Sequence, residues 1–222
     1  MPPAVATIDT ASPNRSWRDN ALLQGWLVLL LAIVFGALLA GVQTALGPAI
    51  ADNKRNETLS RVPQLIPPPD TAATSAQLEV DTRMLPVSSG GRTAVYRIHR
   101  ASRDDELAGW VVQVAGQGYA DRIEVLLGLS PAADVITGLF VLDQKETPGL
   151  GAKIAEAPWR GQFAGKPAAL PLEVIKGGGA SGNQIDAITG ATISSRAVTD
   201  IVNRTLADVR DQLATDAGKA AP

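Results

Sequence analysis

Residues 186–192 read Asp-Ala-Ile-Thr-Gly-Ala-Thr and connect a glycine-rich loop at residues 176–182 to an amphipathic run. Apolar residues recur in that run at steps of three and four, which is the period of a helix with one apolar face. They are Ile193, Ala197, Ile201, Val202, Leu206, Val209 and Leu213. The pattern predicts a helix that begins at or near Thr192 and closes the fold.

Five segments before this helix have the alternation or the compact apolar runs of β-strands. They are residues 93–99, 109–115, 122–129, 134–142 and 172–175. Glycine-rich and Ser-Pro turns separate them. Strands followed by one closing helix predict an α+β domain with a mostly antiparallel sheet.

The start of the closing helix allows two interpretations of the residues around it. The first N–H groups of a helix lack partners, and the helix dipole favours negative charge there. One interpretation is an ordinary cap, in which a Thr or Asp oxygen accepts a helix N–H. The other is a phosphate site, for which Gly190 and Ala191 leave room and Thr192 supplies a hydroxyl. The seven residues alone leave both open.

A second motif, Glu-Thr-Pro-Gly-Leu-Gly, occupies residues 146–151 and follows two apolar strand segments. A Pro-Gly pair with a further glycine is by itself only a turn.

Taken together, the two motifs and Gly118-Tyr119 before them resemble the FMN-binding domain found in the G subunit of the Rnf electron-transport complex. The motif at residues 186–192 also occurs in the related C subunit of the sodium-pumping NADH:quinone reductase. In that family FMN is joined through its phosphate to the last Thr of Asp-x-x-(Ser/Thr)-Gly-Ala-Thr, which is Thr192 here. This chain has Thr189 where Ser is commoner.

The resemblance implies that residues 146–151 form one wall of a flavin site. The glycines allow a close backbone approach, and Pro148 and Leu150 offer apolar surface. Thr147 offers a hydroxyl to the ring edge, whereas Glu146 is better suited to holding the turn.

The resemblance implies FMN bound covalently, as a phosphoester of Thr192, and no catalytic or metal-ligating residue. The other cofactor-binding residues that it implies are Glu146, Thr147, Pro148, Gly149, Leu150, Gly151, Asp186, Thr189, Gly190 and Ala191. It also implies a separate flavin transferase that moves FMN from FAD to the threonine, with Asp186 helping that enzyme to recognise the motif.

Composition excludes several other classes of redox site and partner. The chain of 222 residues has no cysteine and one histidine, which excludes iron–sulfur ligation, disulfides and a histidine-based metal cluster. A net charge of −2 makes nucleic acid an unsuitable partner. The glycines match neither a dinucleotide-binding fingerprint nor a P-loop. A redox role therefore requires a bound organic cofactor.

The N-terminal part carries a membrane-span signal. Residues 21–51 contain no charged side chain. A hydrocarbon core about 30 Å thick needs roughly 20 helical residues, so residues 21–46 predict one transmembrane helix after a polar tail at residues 1–20. The alternative, a signal peptide, has an apolar region of only about 7–15 residues. Basic residues on the two sides do not fix the orientation. The resemblance implies a bacterial inner-membrane protein with its FMN domain on the periplasmic side.

The remaining boundaries follow from composition. Residues 47–75 predict a juxtamembrane segment and a Pro-rich linker, with an extended path that begins at Pro63 and includes Pro67-Pro68-Pro69. The FMN-binding domain is predicted at residues 76–214 and a C-terminal tail at residues 215–222.

The function that the resemblance implies is electron relay between NADH and ferredoxin within an Rnf-type ion-translocating oxidoreductase. That assembly is a translocase complex, of which this chain would be one component and not a stand-alone enzyme. The partners implied are the other integral and peripheral subunits, the flavin transferase and the lipid bilayer. Two alternatives stay open: the C subunit of a sodium-pumping NADH:quinone reductase, and a non-redox membrane-anchored scaffold or regulatory domain.

Overall fold

A computed structural model of the chain describes residues 21–66, 78–89 and 92–220. The first element is helix α1, Ala21–Leu65. The chain divides into two compact units, Met1–Lys54 and Arg55–Pro222, so the division falls within this helix.

In the first unit, α1 presents apolar side chains to its surroundings on all sides. Every side chain described between residues 24 and 50 is exposed, including Phe35 at 63% and Leu39 at 71%. Among the described residues, α1 is the one helix long and apolar enough to cross a bilayer. The predicted apolar helix is present and continues beyond residue 46, whereas the predicted tail at residues 1–20 lies outside the described residues.

In the second unit, the end of α1 is part of the folded domain. Val62, Leu65 and Ile66 are buried against Ala101, Val111 and Leu126. The prediction of an extended path from Pro63 is therefore wrong for residues 63–66. A proline inside a helix costs about 3 kcal/mol, and burial of three large apolar side chains, at about 1.5–3 kcal/mol each, outweighs that cost. Residues 67–69 lie outside the described residues.

The domain is built on a five-stranded antiparallel sheet in which sequence neighbours pair throughout, in the order β1-β2-β3-β4-β5. The strands are β1 Glu79–Ser89, β2 Arg92–Arg103, β3 Glu106–Gln117, β4 Arg122–Leu129 and β5 Ile136–Asp143. The α+β class with a mostly antiparallel sheet is confirmed. Strand β1 has no counterpart among the predicted segments, because its charged residues and Pro86 hide the strand pattern. Both are characteristic of the edge position it occupies.

Both faces of the sheet are covered. On β4, Ile123, Val125, Leu127 and Leu129 lie in the larger core, while Leu126 between them faces the end of α1. The larger core is closed by helix α3, Thr192–Ala220, whose apolar face contributes buried residues. These are Val198, Ile201, Val202, Leu206, Val209 and Leu213. Because α3 extends to Ala220, residues 215–220 are helical, not a separate tail as predicted.

Short elements connect β5 to α3. A 3-10 helix, Gly151–Ala155, leads into helix α2, Ala157–Arg160. Strands β6, Glu173–Ile175, and β7, Gln184–Asp186, then form a small parallel sheet. The predicted strand at residues 172–175 is thus present but outside the main sheet. Strand β7 sets the path of the chain into α3.

The end of α1 predicts how far the soluble domain can be shortened. A fragment beginning at residue 76 should lose roughly 5 kcal/mol of unfolding free energy relative to the unit Arg55–Pro222, because it exposes the apolar surface under Val62, Leu65 and Ile66. Urea unfolding of the two fragments measures the difference. Gln64→Ser, at an exposed position of the same helix, is the control and should have little effect. Equal stability of the two fragments would contradict this packing.

The single histidine predicts a pH dependence of stability. His99 is 3% exposed and shares a hydrogen bond of 2.9 Å between its Nδ1 and Thr82 Oγ1. Burial, and after it the positive charge of Arg97, lowers the pKa of His99 below 6.5. The unfolded chain therefore binds the proton more tightly, so stability is fully present above pH 6.5 and falls as the pH drops below that value. Urea unfolding at about pH 7.5, 6.5 and 5.5 should show this fall in the free energy of unfolding. The fall should be smaller in His99→Gln, which lacks the titrating group.

Candidate functional site

The two motif loops meet at one cleft of 460 Å³ beside the start of α3. The cleft is lined by Tyr119, Thr147, Leu150, Gly151, Gly190, Ala191, Thr192, Ile193 and Ser194. Three separate parts of the chain supply these residues: the turn between β3 and β4, the segment after β5, and the entrance to α3. The cleft therefore exists only in the folded domain.

A tight turn delivers the chain into α3. The Ala191 N–H donates to the Ile188 carbonyl at 2.9 Å, and Gly190 has a φ of 81°. Positive φ at the third residue of a four-residue turn is the requirement that glycine meets in a type II turn. The Ser195 hydroxyl accepts the Ile188 N–H at 3.1 Å, which ties the turn to the first helical turn. The position of Thr192 at the start of the helix follows from these bonds.

The first turn of α3 has no side-chain cap from the motif. Helical bonding begins with the Ser195 N–H, which donates to the Ala191 carbonyl at 3.0 Å. The preceding N–H groups have no intrahelical acceptor by geometry. Ala191 has no side-chain oxygen, and within the described ranges no oxygen of Asp186, Thr189 or Thr192 accepts one of them. The cap interpretation is thus not the arrangement observed, and the groups suited to an anion are left available.

A buried carboxylate connects the three parts of the cleft. Glu146 is 4% exposed and accepts hydrogen bonds from the Ser194 hydroxyl at 2.6 Å and the Ala120 N–H at 3.0 Å. Its own N–H donates to Gln144 Oε1 at 2.7 Å. A buried carboxylate without hydrogen bonds would be costly, so these donors fix where the side chain lies. Glu146 therefore holds the loop after β5 against both the β3–β4 turn and α3.

Two glycines make room for this carboxylate. A Cβ atom on Gly118 would lie 2.4 Å from Glu146 Oε1, and one on Gly151 would lie 2.8 Å from Ser194 Oγ. Neither distance is possible without a shift of the neighbouring atoms. Gly149 differs, because its surroundings are open and its φ of 75° is the reason that glycine suits the position.

A solvent-accessible ion pair supports the rim of the cleft. Lys145 Nζ lies 3.1 Å from Asp121 Oδ2, which joins the β3–β4 turn to the residue before Glu146. The Arg122 N–H, and then Lys145, holds the pKa of Asp121 below its usual value, while Asp121 raises the pKa of Lys145. Water reaches both charged groups, so the ion pair restrains the conformation of the turn but adds little to the stability of the domain.

Asp186 lies away from the cleft, at the end of β7. Its Oδ2 accepts the Ala180 N–H at 3.2 Å, and its carbonyl accepts Trp159 Nε1–H at 2.9 Å. The buried Oδ1 has no hydrogen-bond partner in the described part of the chain. The side chain thus closes the glycine-rich loop and retains one acceptor that is not used.

The predicted cofactor-binding residues divide into two groups. Thr147, Leu150, Gly151, Gly190, Ala191 and Thr192 line the cleft. Glu146 lies within the wall, and Pro148, Gly149, Thr189 and Asp186 are not among the lining residues.

The cleft also contains residues that sequence reasoning missed. Tyr119 is 62% exposed and Ile193 is 58% exposed, and both line the cleft together with Ser194. Helical period assigned Ile193 to the apolar face that packs on the sheet, which is wrong, because its side chain faces the cleft. The sequence signal that could have identified Tyr119 as a cleft residue was its position beside Gly118.

A larger cleft of 580 Å³ lies elsewhere, between β2, β3 and α3. It shares no lining residue with the cleft at the start of α3. The candidate site is identified by the residues that line it and not by its volume, because both motifs contribute to the smaller cleft.

Comparison with known proteins finds one matching family model and several similar proteins. The model of the FMN-binding domain family matches residues 118–207. The G subunit of the ion-translocating oxidoreductase complex of Cereibacter sphaeroides is 31% identical over 211 residues, covering 90% of this chain and 91% of the relative. The G subunit of the Na(+)-translocating ferredoxin:NAD(+) oxidoreductase complex of Acetobacterium woodii is 44% identical over 111 residues, and there the match spans 49% of this chain and 53% of the relative.

The crystal structure of Shewanella oneidensis NqrC is similar in fold. It matches with a TM-score of 0.51 and 24% sequence identity, covering 58% of this chain and 63% of that chain. At this identity the similarity supports the architecture of the domain and nothing finer.

The crowding at Gly151 predicts a site-specific loss of stability. Gly151→Ala should lower the unfolding free energy by about 1–3 kcal/mol, because its Cβ would displace Ser194 or Glu146. Gly161→Ala is the matched control, since that glycine has a φ of −62° and open space around it. Thermal unfolding of both variants measures the difference. If the two variants melt together, Glu146 does not hold the loop in the way described.

Proposed function

This chain belongs to the family of G subunits of ion-translocating oxidoreductase complexes, and we propose that it is a membrane-anchored electron-transfer protein that carries FMN on Thr192. The cleft at the start of α3 supports this proposal most directly. It joins an available hydroxyl, unused helix N–H groups and apolar walls in one place. Its volume of 460 Å³ is within the range of about 300–1,000 Å³ that is usual for small-molecule sites.

The residues present fit the parts of a flavin mononucleotide. Thr192, with the N–H groups of the first turn, would hold the phosphate, and Gly190 and Ala191 keep its approach free of large side chains. Leu150, Ile193 and Tyr119 would supply the walls for an aromatic ring system, because all three line the cleft and are exposed. FMN, when bound, supplies one- and two-electron chemistry.

Attachment would convert the Thr192 hydroxyl into a phosphoester. The Thr192 oxygen would form a bond to the phosphorus of the FMN moiety of FAD, AMP would depart as the leaving group, and the hydroxyl proton would pass to a base of the transferase. A flavin transferase would supply this chemistry in trans, since the residues that line the cleft include no histidine or carboxylate. Asp186 would act in recognition of the motif and not in the cleft, in keeping with its place at the end of β7.

The proposed setting is an Rnf-type complex in the bacterial inner membrane. The apolar helix α1 would anchor the chain, with the FMN domain on the periplasmic side, and the flavin would relay electrons between other subunits on the route between NADH and ferredoxin. Holding the flavin covalently would keep it in the relay regardless of its non-covalent affinity.

The two rival functions have weaker support. The C subunit of a sodium-pumping NADH:quinone reductase would have the same fold, but the similarity to the Shewanella structure is at the level of fold only. A relative that matches over 91% of its own length is a G subunit. A non-redox scaffold would need no free hydroxyl and no uncapped helix start at the meeting point of two motifs.

Substitution of Thr192 tests the attachment. Thr192→Ala, made alongside its transferase, should carry no covalent flavin, and its stability should change by no more than about 0.5 kcal/mol, because the side chain caps nothing. Intact-mass spectrometry and in-gel fluorescence after denaturation measure the attachment. Thr192→Ser should still be modified in part, and Thr215→Ala, at an exposed threonine farther along α3, is the matched control that should retain full modification. Unmodified wild-type protein would falsify the proposal, as would flavin on Thr192→Ala.

A further inference from the structure

The main sheet is divided near one end. Strands β2 and β3 pair from Arg97 opposite Gln113 to Arg103 opposite Glu106. Beyond this stretch, residues 92–95 of β2 pair with β1 and residues 114–117 of β3 pair with β4, and no strand pairing joins the two segments. In the described part of the chain, two strand edges therefore face each other without pairing.

The 580 Å³ cleft occupies this division. Residues from both strand edges line it, and Ile201, Arg204, Thr205 and Asp208 of α3 line it from below. Helix α3 lies tight against the end of β3, because a Cβ on Gly116 would be 2.4 Å from Ile201 Cγ1. The helix therefore forms the floor of the cleft.

The walls of the cleft offer backbone hydrogen bonds. An unpaired strand edge presents N–H and C=O groups in alternation, which another extended chain can use. At about 3.3 Å per residue, the two edges are long enough for a strand of roughly four residues.

The rim of the cleft is positively charged. Arg97, Arg122 and Arg204 line it and are exposed. Among the residues that the structure describes, Arg122 and Arg204 form no ion pair.

The two carboxylates at the cleft already have partners. Glu124 accepts Gln113 Nε2–H at 2.7 Å, and Asp208 accepts the Tyr96 hydroxyl at 2.5 Å. These neutral donors leave both carboxylates charged, so the three arginines exceed the two carboxylates by one positive charge. Arg122 and Arg204, which form no ion pair in the described part of the chain, can attract acidic side chains from outside.

We propose that this cleft binds an extended acidic segment of another subunit of the complex, which adds as a strand between β2 and β3. The proposal rests on the proposed function in so far as it requires a complex. A small anion would satisfy the arginines but leave both strand edges unpaired, whereas an acidic strand satisfies both. Because this cleft shares no lining residue with the flavin cleft, docking here leaves the flavin cleft open to an electron partner.

Hydrogen exchange in the full-length protein tests the proposal. The amides of residues 92–95 and 114–117 that face the cleft should exchange at least about tenfold more slowly in the purified complex than in the isolated protein in detergent, since paired strand amides are protected. The alternate amides of the same segments already pair with β1 or β4, so their exchange should change little. Arg122→Glu with Arg204→Glu should abolish that protection. Lys176→Glu with Arg210→Glu is the matched control for charge, away from the cleft, and should preserve it.

Two results would overturn the proposal. One is unchanged exchange of both segments in an intact complex. The other is equal protection of the isolated protein by inorganic phosphate alone, which would make the cleft a small-anion site. Flavin content is measured on the same samples. Absent flavin with protected strands contradicts the proposed function alone, while bound flavin with unprotected strands contradicts the docking proposal alone.

Discussion

The candidate site depends on the hydrogen bonds of one buried carboxylate. Glu146 is removed from water and has no cationic partner among the described residues, so the Ser194 hydroxyl and the Ala120 N–H must stabilise it. These donors come from α3 and from the β3–β4 turn, whereas Glu146 belongs to the loop after β5. Satisfying the carboxylate therefore requires all three parts to come together. The cleft around Thr192 is the space that remains between them, and the glycines at positions 118 and 151 are needed because a side chain there would occupy the place of the carboxylate.

The sheet supports this arrangement by being covered on both faces. Helix α3 packs on one face, so its first turn is fixed relative to β3 and β4. The end of α1 packs on the other face through Val62, Leu65 and Ile66. The last turns of α1 are thus a structural layer of the domain, and not only the start of a tether. The folded domain therefore begins within this helix, before the proline-rich segment.

Local patterns were sufficient for much of this architecture. The spacing of apolar residues along the chain predicts the helix start at Thr192, the alternation along β4 and the antiparallel class. Neighbouring residues determine these features. Long-range packing determined the rest. The helix continues through Pro63 because residues 62, 65 and 66 pack on the sheet. Local rules for proline take no account of such packing. The bond between Ser194 and Glu146 joins residues 48 positions apart. For the same reason, no local pattern showed that Ile193 and Tyr119 face the cleft, because the cleft forms only where the two motif loops meet.

A crystal or cryo-EM structure of the flavin-loaded protein tests most directly whether the two motifs form one flavin cleft at the start of α3. We predict continuous density from Thr192 Oγ into the phosphate, and a ring system in contact with Leu150 and Tyr119. An ordered flavin between β2 and β3, or one attached through a residue other than Thr192, would contradict this arrangement.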